Sequence, residues 1–195
     1  MQTYLTKSEI YTLANLKKDT LLSITAEDWQ NHDISYGNIL LESAHHTVEI
    51  NNDYRLVPFL SDTEELVGFK INQLKDISDF EPSVPKDALR TKKINESVEN
   101  IILIRDMISI NYSNGTNEHH LIDQAIIFKL ESTDWLISLL GLYMPIEKMI
   151  FKRDVLKDIR SVDDVISDWE DTDYEECGLS HPRYQVHVGR EIIEI

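Results

Sequence analysis

The sequence predicts an α+β fold: mainly antiparallel sheet, as a curled sheet or two packed sheets, with a short N-terminal helix and an amphipathic C-terminal helix. Three observations carry that reading. Short apolar runs alternate with turn-forming residues through most of the 195-residue chain. Isoleucine, which packs well on a pleated surface, occurs 24 times. Capping spacings precede apolar stripes at two places, one near each end. The length fits a single domain, 1–195, and any subdomain boundary falls in the connector at 76–97.

Taken in order, Thr6 and Glu9 stand at capping-box spacing, so a hydroxyl and a carboxylate satisfy each other's exposed backbone donors. Ile10, Leu13 and Ala14 then recur at helical spacing, which predicts a helix near 7–17. TLLSIT at 20–25 reads as the first strand. From Asn38 the runs NILLES, HTVEIN, YRLVPFL and ELVGFKIN form a meander, broken at His45-His46, at Asn51-Asn52-Asp53 and at Ser61-Asp62-Thr63. In the last run Leu66 and Gly68 oppose Val67, Phe69 and Ile71, an alternation that predicts one half-buried face.

Residues 76–97 carry Pro82, Pro85 and little apolar periodicity, and read as a long connection. They hold the one basic cluster, Lys86, Arg90, Lys92 and Lys93, suited to an anionic ligand or to pairing with acids of the same chain. Strands resume as NIILIR and MISINYS. A hairpin tip is expected at Asn114-Gly115, in a loop over 113–120, followed by DQAIIFKLE, DWLISLLG and EKMIFKR. Asn38-Ile-Leu-Leu, Ile50-Asn and Phe69-Lys-Ile have loose echoes in Asn100-Ile-Ile-Leu, Ile110-Asn and Phe128-Lys-Leu, short enough to arise by coincidence.

Near the C-terminus Ser161 and Asp164 again have capping spacing. Val162, Val165, Ile166 and Trp169 form one apolar stripe, which assigns Trp169 to the core. In RYQVHVGREIIEI, Tyr184, Val186 and Val188 alternate with Gln185 and His187, which predicts a final strand.

Composition narrows the function classes. Nineteen basic against 35 acidic residues give a net charge of −16, which repels nucleic acid and anionic membrane surfaces and favours a basic partner. Six glycines and five prolines speak against a Gly-rich phosphate loop. The single cysteine, Cys177, makes no internal disulfide and fits a reducing compartment. The start MQTYLTKSEIYTL has no leader pattern and no apolar segment is long enough to span a bilayer, so a cytoplasmic protein is expected. The sequons at Asn95, Asn111 and Asn114 are then chance matches.

The charge is concentrated. Residues 161–195 hold ten acids and two bases, a net −8 and half of the total. Asp163 and Asp164 lie in the first turn of the expected helix, where the dipole favours carboxylates. Asp168, Glu170, Asp171, Asp173, Glu175 and Glu176 lie at its end or beyond, where it does not. Asp171, Asp173 and Glu175 alternate like the first ligands of a calcium loop, but Glu176 stands where the turn glycine belongs and Pro182 where the closing glutamate belongs. Three readings stand: a solvated acidic surface, which is favoured over the second, a looser calcium or magnesium site, and an interface in which Tyr174 is an anchor among steering carboxylates.

The remaining candidates are weaker. His45-His46 and His119-His120 are adjacent pairs, and neighbours on a strand point to opposite faces, so a metal would need one histidine from each pair. Cys177 follows two glutamates, which raise a thiol's pKa, so pairing it with His181 or His187 as nucleophile and base is set aside. No nucleophile elbow, Walker loop or zinc-protease motif occurs. No catalytic residues, metal ligands or cofactor are therefore assigned. The leading expectation is a non-enzymatic binding or neutralising module for a basic protein, with Asp168, Glu170, Asp171, Asp173, Tyr174, Glu175 and Glu176 as contacts. In composition the chain resembles small acidic bacterial proteins that neutralise basic partners, such as immunity proteins and antitoxins. The alternatives are a divalent-metal-dependent hydrolase using the C-terminal carboxylates, and a homodimeric assembly module.

Overall fold

The computed structural model describes residues 3–27, 33–59, 62–143, 145–170 and 184–195, and in them the chain is mostly antiparallel strand with two short helices. Helix α1 (Lys7–Ala14) starts where the capping spacing places it. The Glu9 N–H donates to Thr6 Oγ1 at 3.3 Å, and the Thr6 N–H donates to Glu9 Oε2 at 2.8 Å. It ends before residue 17 because Asn15 caps it, and the following turns bury Leu16 and deliver Asp19 to the first strand.

The strands are β1 (Thr20–Glu27), β2 (Ile34–Tyr36), β3 (Ile39–Ser43), β4 (Thr47–Phe59), β5 (Asp62–Leu74), β6 (Leu89–Tyr112), β7 (Asn117–Leu130), β8 (Asp134–Leu139), β9 (Ile146–Lys152) and β10 (Tyr184–Glu194). They are ordered β2-β9-β8-β7-β6-β1-β3-β4-β5, with β10 also paired to β6. Helix α2 (Val162–Glu170) is therefore internal to the chain, because β10 follows it.

β6 is the hinge of this order. Its 24 residues pair with β1 over 89–97, then with β7 and β10 beyond. The register shifts between Val98 and Asn100, where the partner changes, as a bulge that bends and twists the strand allows. The second half of the expected connection at 76–97 is thus strand from Leu89 onward.

Two other expected breaks are absent. Asn51, Asn52 and Asp53 pair in register with Lys70, Phe69 and Gly68 inside β4, so this polar triplet is ladder and not turn. Arg105 and Asp106 lie inside β6 because both charges are met. Asp106 takes Arg190 Nε at 2.7 Å, and Asp123 takes Arg105 Nε at 2.6 Å. The hairpin at Gly115 (φ +88°) is tighter than expected, with β7 resuming at Asn117. The sequence echoes fall on β3, β4 and β5 in one half, but on β6, β6 and β7 in the other, so they do not occupy equivalent places.

One hydrophobic cluster draws on strands from both ends of the order, including Ile24, Phe69, Leu103 and Phe128, together with Trp169 of α2. Trp135 stacks between Phe128 at 4.9 Å and Phe151 at 5.5 Å. Burying such side chains stabilises by roughly 1.5–3 kcal/mol each. A smaller cluster, Ile104, Ala125, Ile127, Leu136, Ile150 and Val155, lies apart from it, so β8 is buried along its whole length. β5 also departs from its expected alternation, since Leu66 to Phe69 are buried on both faces. The N-terminal segment covers the Gly68 side, where a Cβ would meet Thr3 O at 3.1 Å. That segment is held by a parallel bridge from Thr3 to Ile122 and by the Leu5 N–H donating to Asp123 Oδ2 at 2.6 Å. Among the described residues no helix is long and apolar enough to cross a membrane.

Candidate functional site

The acidic stretch begins on α2. Ser161 caps the helix, with the Asp164 N–H donating to Ser161 Oγ at 3.1 Å and the Ser161 N–H to Asp164 Oδ2 at 3.0 Å. The Ser161 hydroxyl and N–H hold the Asp164 carboxyl below its ordinary range. The apolar stripe turns inward as expected: Val165 and Trp169 are buried, and the Trp169 ring stacks on His120 at 5.0 Å. The Tyr184 hydroxyl donates to Trp169 O at 2.8 Å, so the end of α2 and the start of β10 are tied together.

Of the predicted contact residues, Asp168 is half-buried and pairs with Arg160 Nη1 at 2.7 Å, while Glu170 is exposed. Asp171, Asp173, Tyr174, Glu175 and Glu176 lie outside the described residues, as do Cys177 and His181. The described part of the stretch thus offers Asp163 and Glu170 to solvent, with Asp164 and Asp168 already engaged.

The histidine pairs go separate ways. His45 Nδ1 lies 2.9 Å from Asp19 Oδ1 at the β3–β4 turn, and His119 Nδ1 lies 3.1 Å from Ser109 Oγ across the β6–β7 ladder. Burial holds the His120 ring below its ordinary pKa, with Glu118 opposing. Among the described residues no three His, Cys, Asp or Glu side chains converge to hold a metal ion. In the basic cluster, Arg90 bonds the Asp87 and Leu89 carbonyls, and Lys92 Nζ sits 3.9 Å from the centre of the Phe151 ring.

A second site was not visible in the sequence. A cleft of about 510 Å³ opens where the β2–β3 corner, the middle of β4, the connector and the start of β9 meet. Tyr36, Gly37 and Asn38 form one wall, Asn51, Asn52, Asp53 and Tyr54 another, and Ser83, Val84 and Pro145 complete it. Gly37 is required at the corner, since its φ is +88° and a Cβ there would stand 1.9 Å from Ser83 Oγ. Asn38 holds the wall: its N–H donates to Ser83 Oγ at 3.1 Å, and its Nδ2 donates to Glu49 Oε1 at 2.8 Å and to Glu81 O at 3.0 Å.

Behind the wall lies Glu147, opposite Ser35 in the β2–β9 ladder and fully buried. Burial pushes its carboxyl well above the ordinary range, and nearby Glu27 adds to this, while the Asn52 amide acts in the other direction. The amide adjoins the carboxyl without closing a hydrogen bond of ordinary geometry. Ser35 Oγ, Asn51 Oδ1, both Asn52 amide atoms and Glu147 Oε2 are all buried without a protein partner. The signal that could have found this site is Glu147 itself, a carboxylate within the apolar run PIEKMIF; the asparagines, taken locally, resemble a turn.

No known family, curated protein or solved structure matches the chain.

Proposed function

We propose that this chain is a non-enzymatic binding protein that meets a basic protein partner through its acidic C-terminal region. The observation that carries the reading is the concentration of half the net charge, −8 of −16, in residues 161–195. Such a field steers an oppositely charged partner and accelerates encounter. The apolar side of α2 is used up against the core by Val165 and Trp169, while Asp163, Asp164 and Glu170 are exposed. In this reading Asp168, Glu170, Asp171, Asp173, Glu175 and Glu176 supply the field and Tyr174 supplies the anchoring ring. Arg160 offsets part of the contribution of Asp168. The chain acts as a single domain in a reducing, cytoplasmic compartment, where lone Cys177 stays a thiol.

Affinity capture from a lysate of the source organism tests this, with the natural chain and the fourfold variant Asp171→Lys, Asp173→Lys, Glu175→Lys, Glu176→Lys as paired baits. The expected result is one basic protein retained by the natural chain, released by salt and missing from the variant. Recovery of the same protein by both baits would remove the acidic stretch from the interface.

A further inference from the structure

We propose that the cleft between Tyr36 and Tyr54 is a binding site for a neutral saccharide, separate from the acidic C-terminal region. Its volume, about 510 Å³, falls within the range of small-ligand sites. Among the described residues no lysine, arginine or histidine lines it, so an anion would enter without a compensating charge from them.

The hydrogen-bonding groups narrow the ligand further. Asn51 leaves an acceptor unmet, and Asn52 leaves both a donor and an acceptor unmet. A hydroxyl group donates and accepts, and so answers both needs. An ammonium group only donates, and a phosphate or carboxylate only accepts. Buried polar atoms in native proteins nearly all have partners, and here five without a protein partner belong to residues that line the cleft or stand within two positions of one that does.

The rim supplies the other half of sugar recognition. Tyr36 is 48% exposed and Tyr54 is 47% exposed, so each presents ring surface at the mouth. Such rings offer flat apolar area to the C–H face of a sugar, and their hydroxyls remain free to bond at the edge. Asp53, exposed on the same wall, adds an acceptor of the kind that takes two hydroxyl protons at once.

The test is amide NMR shift mapping of the full chain titrated with maltose, cellobiose, lactose and N-acetylglucosamine, with putrescine and inorganic phosphate as charged probes. Binding of at least one sugar should move the amides of Tyr36, Asn38, Asn51, Asn52 and Tyr54. The exposed Tyr54→Ala variant, with its fold checked by circular dichroism, should weaken that binding about tenfold or more. Asn52→Ala should weaken it too, whereas the fourfold lysine variant at 171–176 should bind unchanged. The proposal is overturned if no sugar moves these amides at tens of millimolar, if the shifts survive Tyr54→Ala, or if putrescine or phosphate occupies the cleft at lower concentration.

Discussion

The Tyr184 hydroxyl donates to the Trp169 carbonyl across 2.8 Å, so the residue that opens β10 holds the last turn of α2. The acidic stretch leaves at one of these residues and returns at the other, and both are fastened to the core. Trp169 stacks on His120 at 5.0 Å, and Tyr184 meets Tyr112 edge-on with ring centres 5.8 Å apart.

Tyr184→Phe keeps the ring and removes the hydrogen bond to Trp169. Denaturant unfolding should show a loss of about 1 kcal/mol, the usual net worth of one such bond. A change within error would mean that the tie between α2 and β10 contributes nothing.

Glu147 predicts stability that falls as pH rises. Its folded-state pKa lies above its ordinary 4.5, so the stabilising balance is complete below about 4.5 and is lost as pH climbs toward the raised value. Glu147→Gln mimics the protonated carboxyl. Its melting temperature should match the natural chain near pH 4 and exceed it by roughly 2–4 °C or more near pH 8, where about 1 kcal/mol shifts a chain of this size by that amount. Equal melting temperatures at both values would contradict the assignment of a neutral carboxyl.

Asp19 predicts the opposite slope at lower pH. Burial raises its carboxyl, but hydrogen bonds from the side chains of Ser43 and His45 and from the Thr20 and His45 N–H groups outweigh it and hold the pKa at about 2, against an ordinary 3.8. Its contribution, roughly 2 kcal/mol, is complete above about pH 4 and lost between there and about pH 2. Asp19→Asn should remove that part of the acid denaturation profile measured by circular dichroism.

The N-terminal segment depends on one carboxylate. Asp123 is fully buried, bonds Arg105 at 2.6 and 3.1 Å, and accepts the Leu5 N–H at 2.6 Å. Asp123→Ala leaves a mostly buried guanidinium uncompensated, which should cost about 3–5 kcal/mol in chemical denaturation. Hydrogen exchange should rise first at residues 3–5.

The two left-handed glycines among the described residues separate conformation from space. Both have φ of +88°, but a Cβ at Gly115 meets nothing within 4 Å, whereas one at Gly37 stands 1.9 Å from Ser83 Oγ. Gly115→Ala should cost about 1 kcal/mol from the dihedral alone. Gly37→Ala should cost more and should disturb Asn38 and Ser83 in the NMR spectrum.

Local signals made part of this fold legible. Thr6 with Glu9 and Ser161 with Asp164 mark both helix starts because a capping box is written in four consecutive residues. The strand boundaries were less legible because their polar residues are satisfied from far along the chain. Asp106 looks like a break until Arg190 is placed beside it, and Asn51 to Asp53 look like a turn until β5 pairs with them. The acidic stretch is legible as composition. The cleft is not, since Tyr36, Asn52, Ser83 and Pro145 come from four separated segments that only the folded chain brings together.

The most direct test of the account is the association rate of the captured basic partner with the purified chain, measured from low to high salt by stopped flow. The account predicts a steep decline with salt for the natural chain. For the fourfold lysine variant at 171–176 it predicts a rate at least about tenfold lower at low salt, with a flattened dependence. Identical rates and slopes for the two chains would contradict it and leave the acidic stretch a solvated surface.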